Sequence, residues 1–169
     1  MNAEGSDLTD LSSNLRGWAR KYFPTNTYVD IGEHVMIIDP SDTNITPPLR
    51  DNHVWEKQST EAIRNMLKKN DIVVDCGAHW GYYTLLASNI VGSQGLVYAF
   101  EASPSNFNLL SMNIAINNIS NVRALSMALW DSHTIVPFVP EDDRHTTGGS
   151  HVGYRYSDSL SKASYLMIP

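Results

Sequence analysis

Apolar positions in the first third of the chain fall at helical spacing and then at strand spacing. In "DLTDLSSNLRGWARKYF" (7–23), Leu8, Leu11, Leu15, Trp18 and Tyr22 recur every three or four residues, which predicts an amphipathic helix. "TYVDIGEHVMII" (27–38) holds two β-rich runs around Gly32 and Glu33, the composition of a hairpin. Residues 39–52 contain Pro40, Pro47, Pro48 and several Asp and Asn residues, so a loop is expected there. "STEAIRNMLKK" (59–69) returns to helical spacing, with Ile63, Met66 and Leu67 on one face. Glu61 early and Lys68 and Lys69 late suit the two ends of a helix dipole.

From Asp71 strands and helices alternate. "DIVVDC" (71–76) is a short, near-continuous apolar strand, the pattern expected when both faces of a sheet are covered. A helix follows Gly81 and carries Tyr82, Leu85, Leu86 and Ile90. "GLVYAFE" (95–101) is a second strand. "SPSNFNLLSMNIAIN" (103–117) has Ser103 as N-cap, Pro104 at the first helical position, and Phe107, Leu110 and Ile114 facing inward. "NVRALSMALW" (121–130) is a third strand. This β-α-β-α-β series predicts an α/β fold, a parallel sheet flanked by helices with right-handed crossovers. Beyond Trp130, "TIVPFVP" (134–140) and "SYLMIP" (164–169) read as strands, with "DDRHTTGGS" (142–150) as a mobile loop between them. Residues 1–52 are expected to form a helix-and-hairpin appendage on a domain spanning 53–169.

Composition narrows the function classes. A 169-residue chain, 42% hydrophobic and 18% charged, can bury a single core. Its net charge of −6 argues against a nucleic-acid partner, because phosphate-backbone affinity comes from Lys and Arg. The lone Cys76 excludes an intrachain disulfide and a cysteine-rich zinc site, and it is expected to be a small packed residue. No apolar stretch reaches the about 18 residues of a membrane span, and the polar, acidic start is unlike a signal peptide. The expectation is a soluble, cytoplasmic protein with no membrane partner. His133, His145 and His151 match no compact ligand spacing, so no metal site is expected.

The candidate chemistry sits where the first parallel strand ends. In a doubly wound sheet, ligands lie beyond the carboxyl ends of the strands. That end carries Asp75 and turns through Gly77 and Gly81 into a helix. Gly77 lets a ligand approach the main chain without a Cβ in the way, and Gly81 permits close helix–strand contact. Glu101, 26 residues after Asp75, ends the second strand, where a carboxylate can accept hydrogen bonds from two ribose hydroxyls. Two cofactor classes use this plan. A dinucleotide wants G-x-G-x-x-G for its pyrophosphate, but His79 occupies the second glycine's position. The spacing present, D-x-G-x-x-x-G, suits S-adenosylmethionine, which has no phosphate and whose ammonium Asp75 can orient.

With these residues in view, "VVDCGAHWGYYTLLAS", "GLVYAFEASPSNFNLL", "MNIAINN" and "ALSMALWDS" together resemble the FkbM family of S-adenosylmethionine-dependent methyltransferases. The upstream "HVWEKQSTEAIRNMLKKND" is similar to that family's lead-in helix, and the resemblance covers about residues 53–135. It implies a Rossmann-like class I methyltransferase fold. It further implies that Asp75, Gly77, Ala78, His79 and Gly81 line the cofactor's methionine end, with Tyr82 in the pocket wall. Glu101 would hold the ribose, Ala102 would lie beside the adenine, and Met127 and Ala128, at the end of the third strand, would close over the base. His79 stands where the family usually has Asn, and Ala102 where it has Pro. His79 can still donate a hydrogen bond, and Ala102 keeps a small apolar contact.

The family pattern continues with an acidic-glycine strand that does not occur before Pro169, so the sequence reads as truncated at its C-terminal end. The resemblance implies a methyl acceptor, a hydroxyl on a small molecule or glycan. No catalytic base is assigned, and His133 and His145 are bare candidates. Two alternatives stay open: a non-catalytic cofactor-binding module, and a nicotinamide-dependent oxidoreductase, which His79 disfavours.

Overall fold

The computed structural model describes residues 17, 21–25, 27–132, 134–139, 151–152 and 166–168. Of the helix expected over 7–23, Gly17, Lys21 and Tyr22 are helical, and most of the remainder lies outside the described residues. The loop expected at 142–150 also lies outside them. No helix among the described residues is long and apolar enough to cross a membrane.

Strands β1 (Tyr28–Asp30) and β2 (Val35–Ile37) form the expected antiparallel hairpin, with Asp30 opposite Val35. Gly32 takes φ 93° in its turn, and its N–H donates to Asp30 Oδ1 at 3.1 Å. The loop expected over 39–52 is partly wrong, because helix α1 runs from Thr46 to Asn52. Pro47 and Pro48 fall in its first turn, where a backbone N–H has no intrahelical partner to lose. Asp42 Oδ1 accepts from the N–H groups of Asn44 (3.0 Å), Ile45 (2.6 Å) and Thr46 (3.2 Å), and so satisfies the start of the helix. Helix α2 (Lys57–Met66) matches the lead-in segment, but Met66 is exposed rather than inward. The chain leaves the helix after Met66, and extended Leu67 packs into the core in its place.

The parallel unit follows as expected: β3 (Ile72–Cys76), α3 (Tyr82–Val91), β4 (Leu96–Phe100), α4 (Pro104–Ile116) and β5 (Val122–Leu125). The strand order is β3-β4-β5, with Asp75 opposite Ala99 and Ala99 opposite Ala124. Val97 and Ala99 of the central strand pack with Ala87 and Val91 of α3 and Leu110 of α4. Side chains alternate across a strand, so Ile72 and Val74 face the other way. They are 71% and 56% exposed, which corrects the expectation that both faces of β3 are covered. An unbroken apolar run shows that a strand is buried somewhere, and does not show on which face.

The hairpin is not isolated from this unit. Val29, Met36, Ile38, Ile45 and Leu49 share one core cluster with Trp80, Tyr82 and Leu85. The late strands are β6 (Val136–Val139), β7 (His151–Val152) and β8 (Leu166–Ile168), an antiparallel sheet in the order β7-β6-β8.

Candidate functional site

The turn between β3 and α3 is built from left-handed residues. Gly77 takes φ 81°, His79 53° and Gly81 95°. The turn is anchored to the next strand, because the N–H groups of Gly77 and Ala78 both donate to Phe100 O at 2.9 Å. Gly81 N–H donates to Ala78 O at 2.8 Å and closes the loop into the helix. The two glycines then differ in use. A Cβ on Gly81 would meet Leu110 Cδ1 at 2.6 Å, so this glycine serves helix packing. A Cβ on Gly77 would meet nothing within 4 Å, so open space lies over that part of the turn.

Two carboxylates stand at the neighbouring strand ends next to this turn. Glu101 follows β4 and is only 7% exposed. Its Oε2 accepts from His79 N–H at 2.7 Å, and its Oε1 accepts from Ser103 N–H at 2.8 Å. Burial pushes its carboxyl up; the N–H groups of Ser103, His79 and Ala102 pull it back, and the Asp75 charge pushes it up again. Asp75, near the end of β3, is half-buried and its Oδ2 accepts from the Thr84 hydroxyl at 2.5 Å. Burial also raises this carboxyl, and the Thr84 bond lowers it in part. Such an arrangement offers acceptors to hydroxyl hydrogens and negative charge to a cation, beside backbone that a ligand can touch.

Of the residues expected at the site, Asp75, Gly77, Ala78, His79, Gly81 and Glu101 come together in and around this turn. Tyr82 is buried at the start of α3, with its hydroxyl 3.2 Å from Thr60 Oγ1. Strand β5 ends at Leu125, so Met127 and Ala128 lie in the loop after it and not at the strand's end. Met127 N–H turns back to Leu125 O at 3.0 Å. Ala102 and Ala128 each pack on buried Phe138 of β6. Cys76 is exposed, not packed, because it lies on the open face with Ile72 and Val74. His133 and His145, and the side chain of His151, lie outside the described residues.

Three partners were not legible as site residues. Thr84 stands in the first turn of α3, nine residues beyond Asp75, a spacing that by itself signals no contact. Phe138 read simply as part of a strand. Asn113 carried no signal, because its partner Trp80 O is 33 residues away. Among the described residues no group of three or more His, Cys, Asp or Glu side chains is placed to hold a metal ion.

The family model for the methyltransferase FkbM domain matches residues 75–163, just over half the chain. No curated protein matches the chain. Among solved structures, Trm5b from Pyrococcus abyssi is 19% identical over 60% of this chain and 28% of its own, with a TM-score of 0.46. A SAM-dependent O-methyltransferase from Thermotoga maritima is 23% identical over 58% and 38%, with a TM-score of 0.43. An rRNA methylase from Streptococcus thermophilus is 22% identical over 43% and 38%, with a TM-score of 0.38. The chain thus spans less than two fifths of the length of these structures.

Proposed function

The chain belongs to the FkbM methyltransferase family, and from that premise we propose that it binds S-adenosylmethionine over the β3–α3 turn and methylates a hydroxyl on a small molecule or glycan. The observation that carries this reading is the open space over Gly77, on a turn flanked by the carboxylates of Asp75 and Glu101.

The residues present fit this cofactor. Each Glu101 oxygen already accepts one backbone N–H and keeps further lone-pair capacity for a ribose hydroxyl. Asp75 offers a negative charge to an ammonium. Ala102 and Ala128, backed by Phe138, offer a small apolar wall to a flat base. A pyrophosphate is a poorer fit, since it would meet two carboxylates rather than Lys or Arg, and a His side chain instead of a glycine.

When bound, the cofactor supplies a methyl group on a sulfonium sulfur, open to in-line displacement by the acceptor oxygen. The chain's own residues contribute orientation: a turn held to β4 by Phe100 O and Glu101 is already shaped before the ligand arrives. In this reading residues 53–169 form the cofactor-binding unit and residues 1–52 an N-terminal element packed on it. We also place the protein in the cytoplasm, where its single thiol stays reduced.

Calorimetry with S-adenosylmethionine and S-adenosylhomocysteine tests the cofactor, and transfer of a labelled methyl group to hydroxyl-bearing acceptors tests the reaction. Saturable binding with transfer supports the proposal, and no binding of either ligand to folded protein overturns it. A second reading, a cofactor-binding module without transfer, is favoured by the open face of β3. Parallel sheets are ordinarily covered on both faces. Binding without turnover on hydroxyl, amine or RNA acceptors would select that module.

A further inference from the structure

We propose that the β1–β2 hairpin is a working part of the cofactor site and that Asn113 is the positioning residue that couples them. The inference rests on the reading that the β3–α3 turn binds S-adenosylmethionine.

Asn113 lies on α4 and is fully buried. Its Oδ1 accepts from Ile37 N–H at 2.6 Å, and its Nδ2 donates to Ile37 O at 3.0 Å. The same Nδ2 donates its second hydrogen to Trp80 O at 2.8 Å. One amide therefore fills three hydrogen bonds, two to the hairpin and one to the turn. Trp80 stands between His79 and Gly81, two of the three left-handed residues that shape the turn. Its ring is fully buried, and its Nε1–H donates to Asn106 Oδ1 at 3.1 Å.

Asn117, one helical turn further on, repeats the hairpin half of this arrangement without the turn half. Its Oδ1 accepts from Val35 N–H at 3.0 Å and its Nδ2 donates to Val35 O at 2.7 Å. The repeat is geometric. Four residues of helix rise about 6 Å, and two residues of strand advance about 6.8 Å, so amides at i and i+4 meet alternate residues along the edge of β2. The two asparagines act as a substitute strand for that edge. Only Asn113 passes the contact on to the ligand-facing turn.

The comparison of Asn113→Ala with Asn117→Ala separates coupling from general support of the hairpin. Each variant strips two bonds from β2, and only the first frees Trp80 O. The expected result is S-adenosylhomocysteine binding at least tenfold weaker in Asn113→Ala, after correction for the folded fraction. Asn117→Ala is expected to stay within about threefold of the parent, because it touches no residue of the turn. Equal affinity in parent and Asn113→Ala overturns the inference, as does equal loss in both variants.

Hydrogen exchange on the unaltered protein gives a second measurement if Asn113→Ala does not fold. Coupling is reciprocal, so saturating S-adenosylhomocysteine is expected to slow exchange of the Ile37 amide more than that of Val35. Unchanged exchange at Ile37 with ligand bound overturns the coupling and leaves the proposed function standing. Failure of the parent protein to bind the ligand removes both.

Discussion

His79 and Glu101, 22 residues apart, are joined by a hydrogen bond from the His79 backbone N–H to Glu101 Oε2 at 2.7 Å. The bond ties the β3–α3 turn to the end of β4, and it is available only to an oxygen. Glutamine has one oxygen where Glu101 uses two, so Glu101→Gln must turn an NH2 toward either His79 N–H or Ser103 N–H. A hydrogen bond to a charged group contributes on the order of 1.5–3 kcal/mol. Glu101→Gln is therefore expected to weaken S-adenosylhomocysteine binding roughly 10- to 100-fold. It should also lower the melting temperature by several degrees. Calorimetry and thermal unfolding of the same preparation check both; undiminished affinity would remove Glu101 from the site.

The two glycines of the turn are expected to respond differently to alanine. Both have left-handed backbone, which costs an L-residue about 1–2 kcal/mol. At Gly81 the new methyl also meets Leu110, a fully buried side chain, and overpacking adds roughly 1–3 kcal/mol. At Gly77 the methyl enters open space. Gly81→Ala should thus lose more thermal stability than Gly77→Ala, whereas Gly77→Ala should lose more ligand affinity than its small stability change explains. The reverse ordering of melting temperatures would contradict the structure at Leu110. Normal affinity in Gly77→Ala would show that no ligand comes near that backbone.

How far the sequence revealed this site depends on which contacts are local. The switch from helical spacing to strand-helix alternation at Asp71 was readable, because short apolar runs there alternate with segments of helical period. The left-handed turn follows from those glycines, although His79 reaches φ 53° without being one. Helix α1 was missed because Pro47 and Pro48 read as breakers, although in a first turn a proline has no intrahelical N–H bond to lose. The open face of β3 was missed because apolar content does not say which side is covered. The Asn113 link was beyond reach, since a backbone carbonyl accepts from any donor and nothing in "MNIAINN" names Trp80 as the partner.

Acid should release the cofactor sooner than ordinary carboxylates would. Burial raises the folded-state values of both Asp75 and Glu101 above the ordinary carboxylate values of 3.8 and 4.5. In the free protein a raised carboxyl contributes stability that is present below its unfolded value and lost as pH rises through its folded value. A ligand bringing an ammonium and hydroxyl hydrogens favours the ionised forms, so its contribution grows over that same interval. The gain in melting temperature from S-adenosylhomocysteine should therefore widen as pH rises from about 4 through the raised values. Binding within that interval should release protons, which calorimetry in buffers of different ionisation enthalpy detects. A ligand-induced gain that is flat across the interval would detach both carboxylates from binding.

Tyr83 gives a separate test of how α2 meets the site. Its hydroxyl donates to Glu56 Oε2 at 2.8 Å, and Glu56 begins α2 in a left-handed conformation at φ 40°. Burial first, and then this carboxylate, push the Tyr83 phenol up to about 12. Because the folded value is raised, the associated stability is present below the ordinary tyrosine value of 10.0 and fades as pH rises through about 12. Glu56→Gln removes the negative charge while keeping an acceptor, so Tyr83 should titrate at lower pH with the fold intact. The phenolate absorbance of each protein, minus that of its own Tyr83→Phe partner, isolates this one tyrosine among eight. Coincident titration curves with and without the Glu56 charge would break the proposed contact between α2 and the first turn of α3.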